Sequence, residues 1–337
     1  MISELAKKNL EKQHFAVVGN HSAVKICPFT KSDLKGQGGC YKSKFYGIRS
    51  HLCCQMTPSI TCNNLCVFCW RDLTQLSSVN FKYEIPDNPL AIIEGAFAGQ
   101  KKLLSGFGGN AAVDSKKWMQ SSDPMHVAIS LTGEPTQYPR LKEMIDELHA
   151  KGKSTFVVTN GQYPERLEEI TPTQLYISLD APNREAYKQI DRPMHKDYWE
   201  RFLKSLDILK QKREQGVRTV LRITCVKGIS MTDAKGYADC IKRANPMFLE
   251  VKGYAFMGSS RYRLTLDNVP NHDEVKEFAA DVGTLCGYKL IEEDERSRVV
   301  LFMQEDSPDR IMVWNDGKGE GDGYFLKNQE HKEIIAQ

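Results

Sequence analysis

Thr61-Cys62-Asn63-Asn64-Leu65-Cys66-Val67-Phe68-Cys69-Trp70 places three thiols within eight residues, with an aromatic side chain just before the last of them. Ligands this close cannot all share one regular helix or strand face, so they need a loop folded around a compact object. A cubane iron-sulfur cluster takes thiolates, and three of them leave one iron open to another molecule. A structural zinc site usually closes with four ligands, commonly as paired C-x2-4-C knuckles, and no fourth partner is spaced that way here. The loop reads as a cluster site.

Working outward, the run ending at Thr57 can be the first strand, delivering the loop from its tip. Short apolar, often β-branched runs follow at 127–131, 155–159, 175–179, 217–226 and 248–256, each closed by turn residues. Amphipathic segments lie at 88–104, 139–150, 197–214, 233–244 and 272–286. Strand-helix alternation predicts parallel pairing with right-handed crossovers. Six such units suggest an α/β fold of the incomplete (β/α)6 barrel kind, with its site at the C-terminal strand ends. The expected organisation is an N-terminal cysteine-bearing extension at 1–58, a core at 59–290, and a C-terminal extension at 291–337. The last carries two strand-like runs, 298–303 and 311–314.

The chain has 337 residues, a net charge of +3 and ten cysteines. That length can bury one large core. No apolar run approaches a membrane span. The start, 1–15, is charged and helix-like with no apolar leader segment, so a cytoplasmic location and no membrane partner are expected. In a long chain of this kind, ten thiols argue for metal ligation in a reducing compartment rather than for disulfides. The small net charge permits a basic patch for nucleic acid without demonstrating one.

Polar residues close each strand candidate. The C-x3-C-x2-C spacing resembles that of the radical S-adenosylmethionine (SAM) enzymes. There the open iron chelates the amino and carboxylate groups of SAM, and an electron from the cluster cleaves SAM to a 5′-deoxyadenosyl radical. The resemblance implies SAM contacts from Phe68 within the motif and from Thr132-Gly133-Glu134 at the second strand. That position holds a G-G-E-like motif in those enzymes, with Thr132 here replacing the first glycine. It also implies contacts from Thr159-Asn160 at the third strand and from Ser178 and Asp180 at the fourth. Taken singly, each is equally a turn or a helix cap. Arg222, Lys227, Glu250 and Lys252 interrupt apolar strands, and charges there are costly unless paired or facing a ligand. Cys225, Cys240 and Cys286 read as small hydrophobes.

Cys27, Cys40 and Cys53, each separated from the next by twelve residues, form a wider triad. They could be structural, could bind zinc with His21 or His51, or could hold a second cluster; Cys54 leaves the ligating thiol ambiguous. Lys42 follows Cys40 closely, and its neutral amine could condense with a carbonyl substrate.

With Cys40-Tyr41-Lys42, the 61–70 motif, Ser130 to Thr136, Thr159-Asn160-Gly161, Ser178 to Pro182, Asp191-Arg192-Pro193, Val226-Lys227-Gly228 and Glu250 to Tyr254, the chain resembles the archaeal-type tRNA 4-demethylwyosine synthases from about residue 20 to 315. The resemblance implies that Cys62, Cys66 and Cys69 bind the SAM cluster. It implies further that Cys27, Cys40 and Cys53 bind an auxiliary [4Fe-4S] cluster that coordinates pyruvate, and that Lys42 forms a Schiff base with pyruvate. The implied reaction is of the carbon-carbon lyase type. Hydrogen is abstracted from the methyl group of N1-methylguanosine in phenylalanine tRNA, and the carbon radical attacks the pyruvate carbonyl. The carboxylate leaves as formate, and the tricyclic base closes. Eukaryotic relatives carry a flavodoxin-like domain ahead of the barrel, and 1–58 is too short for one, so a separate electron donor is expected. A monomer is expected. The insertion at 105–124, with Lys116-Lys117-Trp118, could touch tRNA or be a solvated loop. Two other readings stand beside this one. A radical SAM tRNA methylthiotransferase would need a larger N-terminal domain and a terminal β-barrel. A non-catalytic iron-sulfur RNA-binding protein would bind clusters without cleaving SAM.

Overall fold

Alternating strands and helices arrange the chain into one ten-stranded sheet in this computed structural model, which describes residues 2–72 and 85–312. The N-terminal region holds α1 (Glu4–Lys12), the hairpin β1 (Ala16–Val18) and β2 (Ser22–Val24), then α2 (Pro28–Leu34), α3 (Tyr41–Tyr46) and β3 (Cys53–Thr57). The alternating part follows: α4 (Pro89–Leu104), α5 (Ser115–Gln120), β4 (His126–Ile129), α6 (Leu141–Ala150), β5 (Ser154–Thr159), α7 (Pro164–Glu169) and β6 (Gln174–Ser178). It continues with α8 (Arg184–Ile190), α9 (Tyr198–Glu214), β7 (Arg218–Cys225), α10 (Ala234–Ala244), β8 (Phe248–Gly253) and α11 (His272–Cys286). A closing hairpin is formed by β9 (Lys289–Asp294) and β10 (Val299–Met303).

The sheet order is β1-β2-β3-β4-β5-β6-β7-β8-β10-β9. Strands β3 to β8 pair in parallel and are the six expected units. The outer strands on both flanks are antiparallel. Strand β3, the first of the six, thus lies within 1–58, and β9 spans residues 290 and 291.

Side chains alternate across each strand, and the two faces have different partners. Val157, Leu175, Ile177, Leu221, Ile223, Leu249 and Val251 join helix residues such as Ile145, Leu206 and Ile241 in the larger core. Their alternates Phe156, Tyr176, Val220 and Phe248 pack instead on Tyr41, Phe45 and Tyr46 of α3. With the crossover helices on one face, the other becomes an inner face, and the short helix α3 fills it. Tyr41 and Tyr46 donate hydrogen bonds to the buried Glu250 carboxylate at 3.0 and 2.7 Å.

Three local expectations change. Ile311 and Met312 form no strand, because the Met312 amide donates to the Tyr46 carbonyl at 2.9 Å and draws the tail toward α3. Residues 313 and 314, like the rest of the extension to 337, lie outside the described residues. Strand β9, missed in the sequence, carries Lys289, Glu292, Glu293 and Asp294 on the sheet edge, where charge deters pairing with another chain. In the insertion, Lys117 pairs with Asp33 at 2.7 Å, and the Trp118 indole donates to the Leu104 carbonyl at 2.9 Å. Lys117 therefore ties α5 to α2, and Trp118 ties it to the end of α4.

Candidate active site

The cysteine loop leaves the sheet just beyond β3 and is held from several sides. The Leu65 and Val67 amides donate to the Asp191 and Ile190 carbonyls at 3.0 and 2.9 Å, and Asn64 bridges to Pro193. Arg263, from the β8–α11 connection, donates to the carbonyls of Val67 (3.0 Å) and Cys69. The Glu134 amide donates to the Thr61 carbonyl at 2.7 Å. That approach requires Gly133, at φ +73°, where a Cβ would lie 2.0 Å from the Ser59 carbonyl oxygen.

Cys62, Cys66 and Cys69 are half-buried free thiols. Burial pushes the Cys62 thiol up to about 11, against the pull of Arg71. Burial, reinforced by Asp191, holds Cys66 well above the ordinary thiol range. Such thiols ionise when a cation binds them, so the donor set fits an iron cluster. Among the described residues no three His, Cys, Asp or Glu side chains converge on a single metal ion; a cubane distributes its thiolates over separate irons.

Beside Cys62 lies a buried polar network. One Glu134 oxygen accepts from the Thr136 amide and hydroxyl (3.1 and 2.5 Å) and the Thr159 hydroxyl (2.7 Å), and the other from the Asn160 amide (2.9 Å). Burial raises the Glu134 carboxyl, although these four donors oppose it. The Asn160 side-chain amide reaches the Asn63 oxygen at 3.0 Å and the Cys62 sulfur at 3.7 Å. Glu134, Thr159, Asn160 and Cys62 are thus brought together. Asp180 makes a separate contact, accepting from the Thr224 amide at 3.0 Å, and burial pushes its carboxyl up to about 6. Ser178 stands opposite Arg222 at the β6–β7 pairing. Phe68 packs toward Val226, Tyr254 and Leu264. Thr132 lines a cavity of about 240 Å³ with Leu10, Phe15 and Trp70.

The wide triad lies elsewhere. Cys27 and Cys40 immediately precede α2 and α3, and Cys53 opens β3. Alternation resolves the neighbouring pair: Cys54 is fully buried in the helix-facing core, so Cys53 faces inward. Burial pushes Cys53 up to about 12, with Cys27 adding to the rise and Lys42 opposing it. Burial likewise pushes Cys40 up to about 11, against Lys42. The Lys42 amine lies 4.4 Å from the Tyr176 ring centre and 5.3 Å from that of Phe156. Glu250, Arg222 and Lys252 share this inner face, whereas Lys227 is exposed and pairs with Glu274.

Sequence reasoning gave no role to Asp191, whose carboxylate accepts from the Cys66 thiol at 3.3 Å. The Asp191-Arg192-Pro193 motif was its only signal. It also missed Tyr187, which donates to the Asn160 carbonyl at 3.2 Å.

Comparisons with known proteins show the family. The radical SAM superfamily model matches residues 56–241, and a family model for wyosine base formation matches 243–304. An S-adenosyl-L-methionine-dependent tRNA 4-demethylwyosine synthase of Pyrococcus horikoshii is 45% identical over 328 residues, covering 94% of this chain and 92% of its own. A solved structure of TYW1 with a lysine-pyruvate adduct bound is 40% identical with a TM-score of 0.81, over 90% of this chain and 97% of that one. A crystal structure of archaeal TYW1 is 36% identical with a TM-score of 0.76, over 93% and 100%. The chain belongs to the radical SAM superfamily and, within it, to the S-adenosyl-L-methionine-dependent tRNA 4-demethylwyosine synthases.

Proposed function

We propose that the chain condenses N1-methylguanosine in phenylalanine tRNA with pyruvate, forming the tricyclic 4-demethylwyosine base with release of formate. The observation that carries this reading is the place of Lys42. Its amine stands on the inner face over Tyr176 and Phe156, beside the thiols of the wide triad. In this reading Lys42 captures the ketone of pyruvate, as a lysine does in the solved relative with its adduct.

Superfamily membership implies SAM and a [4Fe-4S] cluster. Cys62, Cys66 and Cys69 would hold that cluster, and Cys27, Cys40 and Cys53 an auxiliary one. When bound, the first cluster and SAM supply a 5′-deoxyadenosyl radical. Glu134, in its network with Thr159 and Asn160, is placed to accept the ammonium of SAM. Asp180 and Ser178 offer acceptors for ribose hydroxyls, and Phe68 supplies apolar contact. Tyr41 and Tyr46, clamped on Glu250, fix the helix that carries Lys42.

Unpaired tRNA nucleotides would meet the face beside the cysteine loop. There Tyr262 is 89% exposed, next to Arg261; rings stack on bases and arginine neutralises phosphate. We assign 1–58 to the auxiliary site, 59–290 to the core and 291–337 to an extension. The reading includes a separate electron donor, a monomer and a cytoplasmic location. Among the described residues no helix is long and apolar enough to cross a membrane.

The test is anaerobic turnover after cluster reconstitution, with SAM, a strong reductant, pyruvate and N1-methylated phenylalanine tRNA. Digested nucleosides are then weighed by mass spectrometry. A pyruvate-dependent tricyclic guanosine is expected. Release of 5′-deoxyadenosine with unmodified tRNA would overturn the substrate assignment, and no SAM cleavage would overturn the enzyme.

A further inference from the structure

Beside Arg218, which is hydrogen-bonded to Gln174 and to the Asp309 and Arg310 carbonyls, three further cations share the inner face around α3. The Lys42 amine and the Arg222 guanidinium both lie over Tyr176, at 4.4 and 5.9 Å, and the Lys252 amine lies 4.7 Å from the Tyr41 ring centre. Register places Arg222 opposite Glu250, with Lys252 one inward position further along β8. Both Glu250 oxygens accept tyrosine hydroxyls, and the buried Asp180 carboxylate acts on Arg222 as well. Among the described residues, the side chains of Lys42, Arg222 and Lys252 make no hydrogen bond or ion pair. Burial pushes the Lys252 amine down, with Arg222 adding to the effect. Interior cations without a hydrogen-bonded partner are costly even where carboxylates lie nearby, so this face is suited to receive an anion.

We propose that Arg222 and Lys252 form a carboxylate clamp that holds the acid end of a 2-oxo acid while its ketone meets Lys42. The inference rests on the reading that Lys42 captures pyruvate. An aromatic floor, an amine and two spare cations select a small molecule with adjacent carbonyl and carboxylate groups. The guanidinium fork matches a carboxylate, and the ammonium adds a point charge. In the capture step the neutral amine bonds to the ketone carbon, and the ketone oxygen leaves as water with the amine's two protons. The clamp takes no part in that exchange; Arg222 and Lys252 are positioning residues.

Borohydride supplies the test, because it delivers hydride to the imine carbon, solvent protonates the nitrogen, and the adduct becomes a stable secondary amine. The reconstituted full chain is titrated with pyruvate or with butane-2,3-dione, which has a methyl ketone in place of the carboxylate. The trapped lysine is located by peptide mass spectrometry, and iron is counted in each sample. Wild type should trap pyruvate on Lys42 and strongly prefer it to the dione. Arg222→Gln and Lys252→Met should each raise the pyruvate concentration for half-trapping roughly 10- to 100-fold, the effect of one charge-assisted hydrogen bond. Their titration with the dione should not change, and Arg222→Lys should recover part of the preference. Unchanged pyruvate titrations in both variants would overturn the clamp. So would equal losses for both ligands, or lost iron with an unaltered preference, which would make the cations counter-charges for the thiolates. A wild-type adduct on another lysine, or none, would instead overturn the reading of Lys42.

Discussion

Deleting the Tyr46 hydroxyl probes how firmly α3 is fixed. Tyr46 and Tyr41 donate to separate oxygens of Glu250, at 2.7 and 3.0 Å, and all three side chains are buried. A hydrogen bond to a charged group contributes about 1.5–3 kcal/mol. Tyr46→Phe should therefore cost about 2 kcal/mol, and Tyr41→Phe, with its longer bond, somewhat less. The double variant leaves the carboxylate with neither hydroxyl, and stranding a buried charge costs up to about 5 kcal/mol. That is about 1 kcal/mol above the sum of the singles, so the double should lose more than additively. Urea unfolding midpoints, with a common slope, measure the two singles and the double. Additive losses would refute the claim that the two hydroxyls act together on the Glu250 carboxylate.

The Asp180 carboxyl, pushed up to about 6 by burial, binds its proton more firmly folded than unfolded. Stability should therefore fall as pH rises from about 4 to 6. Asp180→Asn should exceed wild type above that window by up to about 3 kcal/mol, with the gain gone near pH 4; a pH-independent difference in SAM-free melting would contradict this. Cys53→Ala should lower bound iron, whereas Cys54→Ala, in the helix-facing core, should leave iron unchanged and cost about 1 kcal/mol; equal iron losses would reverse the inward assignment. Gly133→Ala forces a Cβ to 2.0 Å from the Ser59 oxygen at φ +73°; SAM binding by equilibrium dialysis should fall, with about 2 kcal/mol or more of stability lost. Tyr262→Ala should weaken tRNA binding by roughly 5- to 100-fold if one base stacks there; an unchanged gel-shift affinity would remove Tyr262 from the RNA face.

The parallel strands were legible because runs such as 127–131 and 155–159 are apolar, β-branched and bounded by turns. Strand β9 was hidden because its charges suit an exposed edge. Helix α3 spans six residues, too few for a helical period to register. Its seat is set by Glu250, more than 200 residues downstream in the chain. For the site, the spacing of Cys62, Cys66 and Cys69 is local and could be read directly. Choosing Cys53 over Cys54 needed only the start of β3, since alternation then decides. Asp191 could not be found by spacing, because its contact with Cys66 depends on how the α8–α9 connection returns to the loop.

The seat of α3 also carries a schedule. The segment holding Cys27, Cys40 and Lys42 leaves the ribosome early, but its anchors come late. They are Glu250, the Glu292 partner of Lys44, the Arg310 side chain on the Phe45 carbonyl, and the Met312 amide on that of Tyr46. Such distant contacts form slowly and only when most of the chain exists. Through most of synthesis the inward thiols and the Lys42 amine therefore wait without their walls. The inner face is completed only after translation, and a growing chain stalled before β8 has no seat for the helix that carries Lys42.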